Sequence, residues 1–494
     1  MSRRVKINRL PSGVPGLDQI LGGGLPEFSF NLIAGAPGSG KTTLAHQMMF
    51  ALATAERPAV YFTVLGEPPL KMLRYQQQFA YFDSNAVNHA VRFVNVSEET
   101  LKGGLAAVLK RIVSEVEAHQ PALVFVDSFR SLISVGDNED GAHAKTQRFM
   151  QQLGMLMTSW EATTFLIGEY VNETGVNPVS TVADGLIFLH QSVQRNSVVR
   201  KLEITKMRGQ ATIPGLHTFR ISDAGINVFA AATGMSRDQA DAAARDTRLS
   251  MGIPQLDEML GGGLPDGYSI LVAGPSGSGK SILAAAFLAE GARCGENGVL
   301  AAFEQNPIRA RSDIVASLIA AGSIGVVENR ATDLSTDEVL WLLMDRIRQL
   351  DAKRVVIDSL SGFELAVAPT FRDDFRESLA RMVTTLTGAG VTLLMTCELE
   401  DRYGDLRFSP YGTAFMTDSI IVQRYIEVES RLRRLMAVVK VRGSHHSHEL
   451  REFTIDDTGI VIGNMLPEEE GLLGGRPTKR RDSWSEHGNT TPHA

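Results

Sequence analysis

Apolar and polar positions follow two alternating rhythms along the chain. Short apolar runs at residues 29–33, 60–64, 123–127 and 164–168 read as strands buried in a sheet. Between them, residues 42–54, 101–116 and 147–160 place apolar side chains three and four apart, the spacing of one helix face. Strands separated by helices of this length build parallel βαβ units, because a parallel pair needs a long crossover. The expected fold class is α/β, with a mainly parallel central sheet flanked by helices. Residues 186–219 and 420–453 break the rhythm and predict β-hairpins that extend a sheet at one side.

The pattern is written twice. GVPGLDQILGGGLPEFSFNLIAGAPGSGKTTLA at residues 13–45 is matched by GIPQLDEMLGGGLPDGYSILVAGPSGSGKSILA at residues 252–284. Gly22 and Gly261, Gly35 and Gly274, and Lys41 and Lys280 are each 239 positions apart. Val124-Phe125-Val126-Asp127-Ser128 returns 231 positions later as Val355-Val356-Ile357-Asp358-Ser359. Lys206-Met207-Arg208-Gly209 returns 234 positions later as Lys440-Val441-Arg442-Gly443. A steady offset with small drift marks a duplication whose insertions and deletions fall in surface loops. Two similar domains are expected, at residues 1–230 and 249–465. Residues 231–248, polar and small, read as a linker. Residues 466–494 carry few apolar side chains and read as a disordered tail.

Composition narrows the function classes. With 494 residues, 44% hydrophobic and 21% charged, the chain resembles an ordinary globular protein. No apolar run approaches the ~18 residues that span a bilayer, so no membrane role is expected. The basic start MSRRVKINRL lacks the apolar segment of a signal peptide. Cys294 and Cys397 are too few for a disulfide framework, and a reducing cytoplasm is expected. A net charge of −7 supplies no global field for nucleic acid. Many of the 46 glycines fall in the two matched blocks, and there the chemistry begins.

Gly35-Ala36-Pro37-Gly38-Ser39-Gly40-Lys41-Thr42, followed by Thr43, fits G-x-x-x-x-G-K-[ST]. So does Gly274-Pro275-Ser276-Gly277-Ser278-Gly279-Lys280-Ser281, followed by Ile282. Each stretch leaves an apolar strand and opens a helix. Glycines let several N–H groups converge on one phosphate, and the helix N-terminus adds its positive end. Both stretches are expected to bind ATP with Mg²⁺. Lys41 and Lys280 are assigned to the β and γ phosphates, and Thr42 and Ser281 to the metal. Asp127 and Asp358 end buried apolar runs and are assigned to the metal's shell.

Hydrolysis also needs a carboxylate that orients the attacking water. In the second half Phe303 is followed by Glu304-Gln305, and Glu304 is the candidate catalytic carboxylate. In the first half the aligned positions are Leu65 and Gly66, and Glu67 lies two positions further on. Two steps along an extended chain move a side chain about 6–7 Å, too far for the same task. Hydrolysis is therefore expected mainly in the second half.

The glycine block before each phosphate loop, the duplicated motifs and the two K-x-R-G hairpins together resemble the KaiC family over about residues 5–465. The resemblance implies two tandem RecA-like P-loop domains, a homo-oligomer in the form of a double-ring hexamer, and ATP at subunit interfaces. It also implies that Lys206, Arg208, Lys440 and Arg442 reach phosphates of a neighbouring subunit. A Lys and an Arg two apart on a strand share one face, which suits that role. The chain departs from the family where clock KaiC phosphorylates an adjacent Ser-Thr pair, since Ala414-Phe415 stands there. An autokinase would need another acceptor, such as Ser409, Thr413 or Thr417. The expectation is an ATPase ring that signals to protein partners, which the sequence does not identify. A nucleotide-dependent scaffold without turnover and a DNA motor are the alternatives. The acidic loop 136–141 speaks against DNA.

Three smaller features receive plain readings. His445-His446-Ser447-His448 has no second ligand cluster to complete a metal site, and the family resemblance implies a polar hairpin turn there. Gln76-Gln77-Gln78 reads as a solvated helix face, and Met155 and Met157 as core filler.

Overall fold

The computed structural model describes residues 7–64, 69–128, 139–169, 182–194, 197–231, 247–303, 313–328, 334–372, 374–399, 415–428, 430–465, 469–470 and 478–479. The chain divides into two compact units, residues 1–231 and 232–494. In the first, the strands are β1 (Phe30–Gly35), β2 (Ala59–Thr63), β3 (Val91–Asn95), β4 (Leu123–Asp127), β5 (Thr163–Glu169), β6 (Gly185–Gln194), β7 (Ser197–Met207), β8 (Leu216–Ser222) and β9 (Gly225–Phe229). They form one sheet in the order β3-β2-β4-β5-β1-β6-β7-β8-β9. The strands from β3 to β6 pair in parallel, and the last three return antiparallel.

The second unit repeats the plan. Its strands are β10 (Ser269–Gly274), β11 (Gly298–Ala302), β12 (Ile324–Glu328), β13 (Arg354–Asp358), β14 (Thr392–Glu398), β15 (Ser419–Val428), β16 (Arg431–Val441), β17 (Arg451–Asp456) and β18 (Gly459–Met465). Their order, β12-β11-β13-β14-β10-β15-β16-β17-β18, is that of the first sheet. These are two tandem RecA-like α/β domains.

Alternation along the strands divides each core into two layers. In β4, Leu123 and Phe125 pack with Leu44 and Met48 of helix α1 (Lys41–Leu52). Val124 and Val126 face the other way, onto Val108 and Ile112 of α2 (Ser97–His119) and Phe149 and Leu153 of α3 (Glu139–Ser159). The second unit places Leu283 and Phe287 of α4 (Lys280–Arg293) against Val356 on one face. Val355 and Ile357 meet Leu343 of α5 (Thr336–Leu350) and Leu379 of α6 (Phe375–Gly388) on the other. Each fully buried Leu or Phe contributes about 1.5–3 kcal/mol through removal from water.

Several expectations shift. The helix expected at 101–116 runs from Ser97 to His119, with Gly104 at φ 61° and ψ −157° interrupting its geometry. The hairpin expectation covers β6, β7 and most of β8, while β3 and β9 lie outside every expected strand. The solvated-face reading fails for Gln76, which is 7% exposed and accepts a hydrogen bond from the Tyr81 hydroxyl. It lies one turn beyond buried Met72 on the core-facing side of its helix, Pro69–Gln76, so the amide turns inward. Met157 is buried, but Met155 is 64% exposed because it lies on the opposite side of α3. In the segment read as a tail, 469–470 pairs antiparallel with 478–479, and the rest lies outside the described residues.

Candidate functional site

Each phosphate loop leaves the carboxyl end of a central strand, β1 or β10, and opens a helix. That is where open α/β sheets place their ligands. The loop in the first unit bends through Gly38 at φ 74° and Gly40 at φ 101°, and the second through Gly277 at 73° and Gly279 at 103°. At Gly40 and Gly279 the requirement is double. A Cβ there would also lie 2.8 Å from Ile221 Cδ1 or 2.7 Å from Ile455 Cδ1. Gly40 and Gly279 are the N-caps of α1 and α4; neither helix has a side-chain cap or an acidic residue in its first turn. The leading N–H groups and the positive helix end are thus turned toward an anion.

The lysines fold back over their loops. Lys41 Nζ donates to Ala36 O at 2.8 Å, and Lys280 Nζ to Gly274 O at 2.9 Å and Pro275 O at 2.7 Å. Burial lowers the Lys41 pKa, while the carboxylates of Glu169 and Asp127 act in the opposite direction. Ser39 and Ser278 are fully buried beneath the loops; Ser278 Oγ donates to Gln423 Oε1 at 3.0 Å. Thr43 is half-buried, while Ser276 and Ile282 are exposed.

The aspartates meet different neighbours in the two halves. Thr42 Oγ1 donates to Asp127 Oδ2 at 2.9 Å, and the Tyr61 hydroxyl donates to the same oxygen at 2.7 Å. In the second half Asp358 Oδ1 accepts from the Thr396 hydroxyl, and Ser281 is exposed. A hydroxyl and a carboxylate converging beside a phosphate loop form the hard oxygen set that suits Mg²⁺. The residues present fit both groups: a glycine cradle for phosphates in each half, and in the first half a hydroxyl and a carboxylate paired for the metal.

The four hairpin cations lie within their own chain. Lys206 Nζ donates to Ala183 O and Lys440 Nζ to Thr417 O, both at 2.6 Å. Arg208 pairs with Asp184 at 3.0 Å and Arg442 with Asp418 at 3.1 Å. Burial lowers the pKa of Lys206 and Lys440, and the neighbouring Arg208 and Arg442 lower it further. In β7 the register jumps so that Thr205 is an extra residue just before Lys206, and in β16 Val439 holds the same place before Lys440. Such bulges re-aim the side chains that follow.

Glu304, Gln305, Leu65, Gly66 and Glu67 lie outside the described residues, as do Ser409, Thr413 and Ala414. Phe415 is described: it is 58% exposed, with the Arg376 guanidinium 4.9 Å from its ring centroid. His446 and His448 stand edge to face at 4.7 Å.

Sequence reasoning passed over three further groups. Asp184 and Asp418, which hold the hairpin arginines, share the 234-position offset of Lys206 and Lys440, a signal that was open to reading. Glu169 and Glu398 end β5 and β14 in register with Gly35 and Gly274. Tyr61 was hidden inside an apolar run.

Two tandem RecA-like domains, each with a phosphate loop and a strand-end aspartate, define a P-loop nucleotide-binding protein. The family model described as "ATPase: KaiC" matches residues 10–233 and again 249–466, and the chain belongs to the KaiC family. Among curated proteins, the circadian clock oscillator protein KaiC of Picosynechococcus sp. is 26% identical over 490 residues, covering 96% of this chain and 93% of that protein. KaiC of Synechococcus elongatus is 25% identical, with 97% and 93% covered. KaiC of Prochlorococcus marinus is 24% identical, with 97% and 98% covered. The chain is thus a KaiC-like ATP-binding protein of an ATPase family. Among the described residues no helix is long and apolar enough to cross a membrane.

Proposed function

We propose that this protein is a Mg-ATP-dependent ATPase that assembles into a hexameric ring in the cytoplasm. It hydrolyses ATP chiefly at its second site and signals to protein partners through nucleotide-dependent shape. Its domains occupy 1–230 and 249–465, joined by the linker 231–248 and followed by the tail 466–494. The observation that supports the reading most is the duplicated phosphate loop with its strand-end aspartate in a KaiC-family chain.

In this reading the loop N–H groups hold phosphate oxygens, and Lys41 and Lys280 leave their loop carbonyls for the β and γ phosphates. Thr42 with Asp127, and Ser281 with Asp358, hold the metal. When bound, Mg²⁺ neutralises charge that develops on the phosphates. Glu304 orients the attacking water at the second site, and Leu65-Gly66 offers no carboxylate at the first. Lys206, Arg208, Lys440 and Arg442 exchange their own-chain partners for a neighbouring subunit's phosphates. Phosphorylation at the family's acceptor pair forms no part of the proposal, because Ala414 and Phe415 carry no hydroxyl.

Mass measured by light scattering tests the assembly. Saturating Mg-ATP is expected to raise the full chain to a hexamer, and Lys41→Ala with Lys280→Ala to abolish the rise. A monomer at saturating Mg-ATP would contradict the ring.

A further inference from the structure

The two nucleotide sites share loops and aspartates but differ in what holds the aspartate. The register aligns Thr63 with Asp127 in the first sheet and Ala302 with Asp358 in the second, so Tyr61 occupies the position of Leu300. A hydroxyl therefore reaches the metal-site carboxylate from β2, whereas the matching position of β11 holds an aliphatic side chain.

The Tyr61 ring has little freedom. It is fully buried, stacked on His46 at 4.5 Å, with Phe93 at 5.6 Å and Phe125 at 6.0 Å. His46 lies on α1, the helix that carries Lys41 and Thr42, so the clamp ties the phosphate-loop helix to the sheet. The phenol donates to Asp127 Oδ2 at 2.7 Å, and the Thr42 hydroxyl donates to the same atom at 2.9 Å. Two donors from separate elements on one oxygen restrict rotation of the carboxylate. Partners of this kind orient metal ligands and change metal affinity when removed.

We infer that Tyr61 is a positioning residue that sets the metal requirement of the first nucleotide site by holding Asp127 in one orientation. The inference rests on the proposed reading of that site as a Mg-nucleotide site. It makes the two halves unequal in a second respect besides the carboxylate at position 304: Asp127 is held by a stacked phenol from β2, whereas Asp358 is held by the Thr396 hydroxyl from β14.

The test uses the full chain carrying Lys280→Ala, so that only the first site reports, with and without Tyr61→Phe. Phenylalanine keeps the ring and its stacking and removes only the donor. Binding of the β,γ-imido analogue of ATP is titrated against Mg²⁺ and repeated in EDTA. The Mg²⁺ needed for half-maximal enhancement of binding is expected to rise about tenfold in Tyr61→Phe, with metal-free affinity unchanged. A misfolded site would lose affinity in both conditions equally, and that result overturns the inference. An unchanged or lower Mg²⁺ requirement overturns it too, and leaves the nucleotide reading standing. Failure of the Lys280→Ala parent to bind the analogue at all removes that reading and the inference together.

Discussion

A histidine buried without charge gives the first unit an acid-sensitive core. His46 is fully enclosed, stacked on Tyr61, and burial holds its pKa at about 3 against an ordinary 6.5; the neighbouring Gln76 acts the other way. Between those values the unfolded chain binds the proton that the folded chain refuses. Stability from this group is therefore present above about pH 6.5 and falls as the pH drops toward 3. At pH 5 the loss is about 2 kcal/mol relative to neutral pH. His46→Leu, which supplies an apolar side chain to the same layer, is expected to flatten the fall in thermal midpoint between pH 7 and pH 5. An unchanged slope would show that His46 does not carry the effect. The sequence did not expose this cluster. His46, Tyr61 and Gln76 lie on three separate elements, and their meeting depends on how α1 and the Pro69–Gln76 helix pack around β2.

Among the elements, the second sheet is anchored at a place no motif marks. Arg354, 1% exposed at the start of β13, donates to Glu296 Oε2 at 2.7 Å. It also donates to the carbonyls of Ser250 at 2.8 Å and Phe287 at 2.9 Å. Its guanidinium lies 4.7 Å from the Phe287 ring centroid, and a Cβ on Gly291 would approach its Cδ to 2.6 Å. One side chain thus ties α4, the helix that opens at the phosphate loop, to the sheet and to the segment entering the domain. Arg354→Met leaves these acceptors without their donor, and a loss of about 3 kcal/mol in denaturant unfolding is expected. A loss below about 0.5 kcal/mol would mean that the network is not cooperative. Elements of the first sheet were legible in outline because parallel strands are apolar on both faces. β3 and β9 escaped for a physical reason. Both are edge strands with a broken apolar pattern: Arg92 and Asn95 are exposed in β3, and Asn227 interrupts β9.

At the scale of the whole molecule, the duplication was the most legible property, because equal offsets survive without any knowledge of contacts. They located both phosphate loops, both aspartates and both K-x-R-G hairpins, and the fold places each at the matching point of its own sheet. The differences between the halves were less legible. A phenol on Asp127 replaces an aliphatic position, and the bulges before Lys206 and Lys440 appear only once strand register is known. The division of labour proposed for the halves rests on Glu304, and its decisive measurement is steady-state Mg-ATP turnover by the full chain, Glu304→Gln and Lys41→Ala. Turnover in Glu304→Gln is expected to fall about 100-fold, while Lys41→Ala keeps most of its rate per assembled chain. A Glu304→Gln protein that hydrolyses ATP at the unmodified rate would contradict the account.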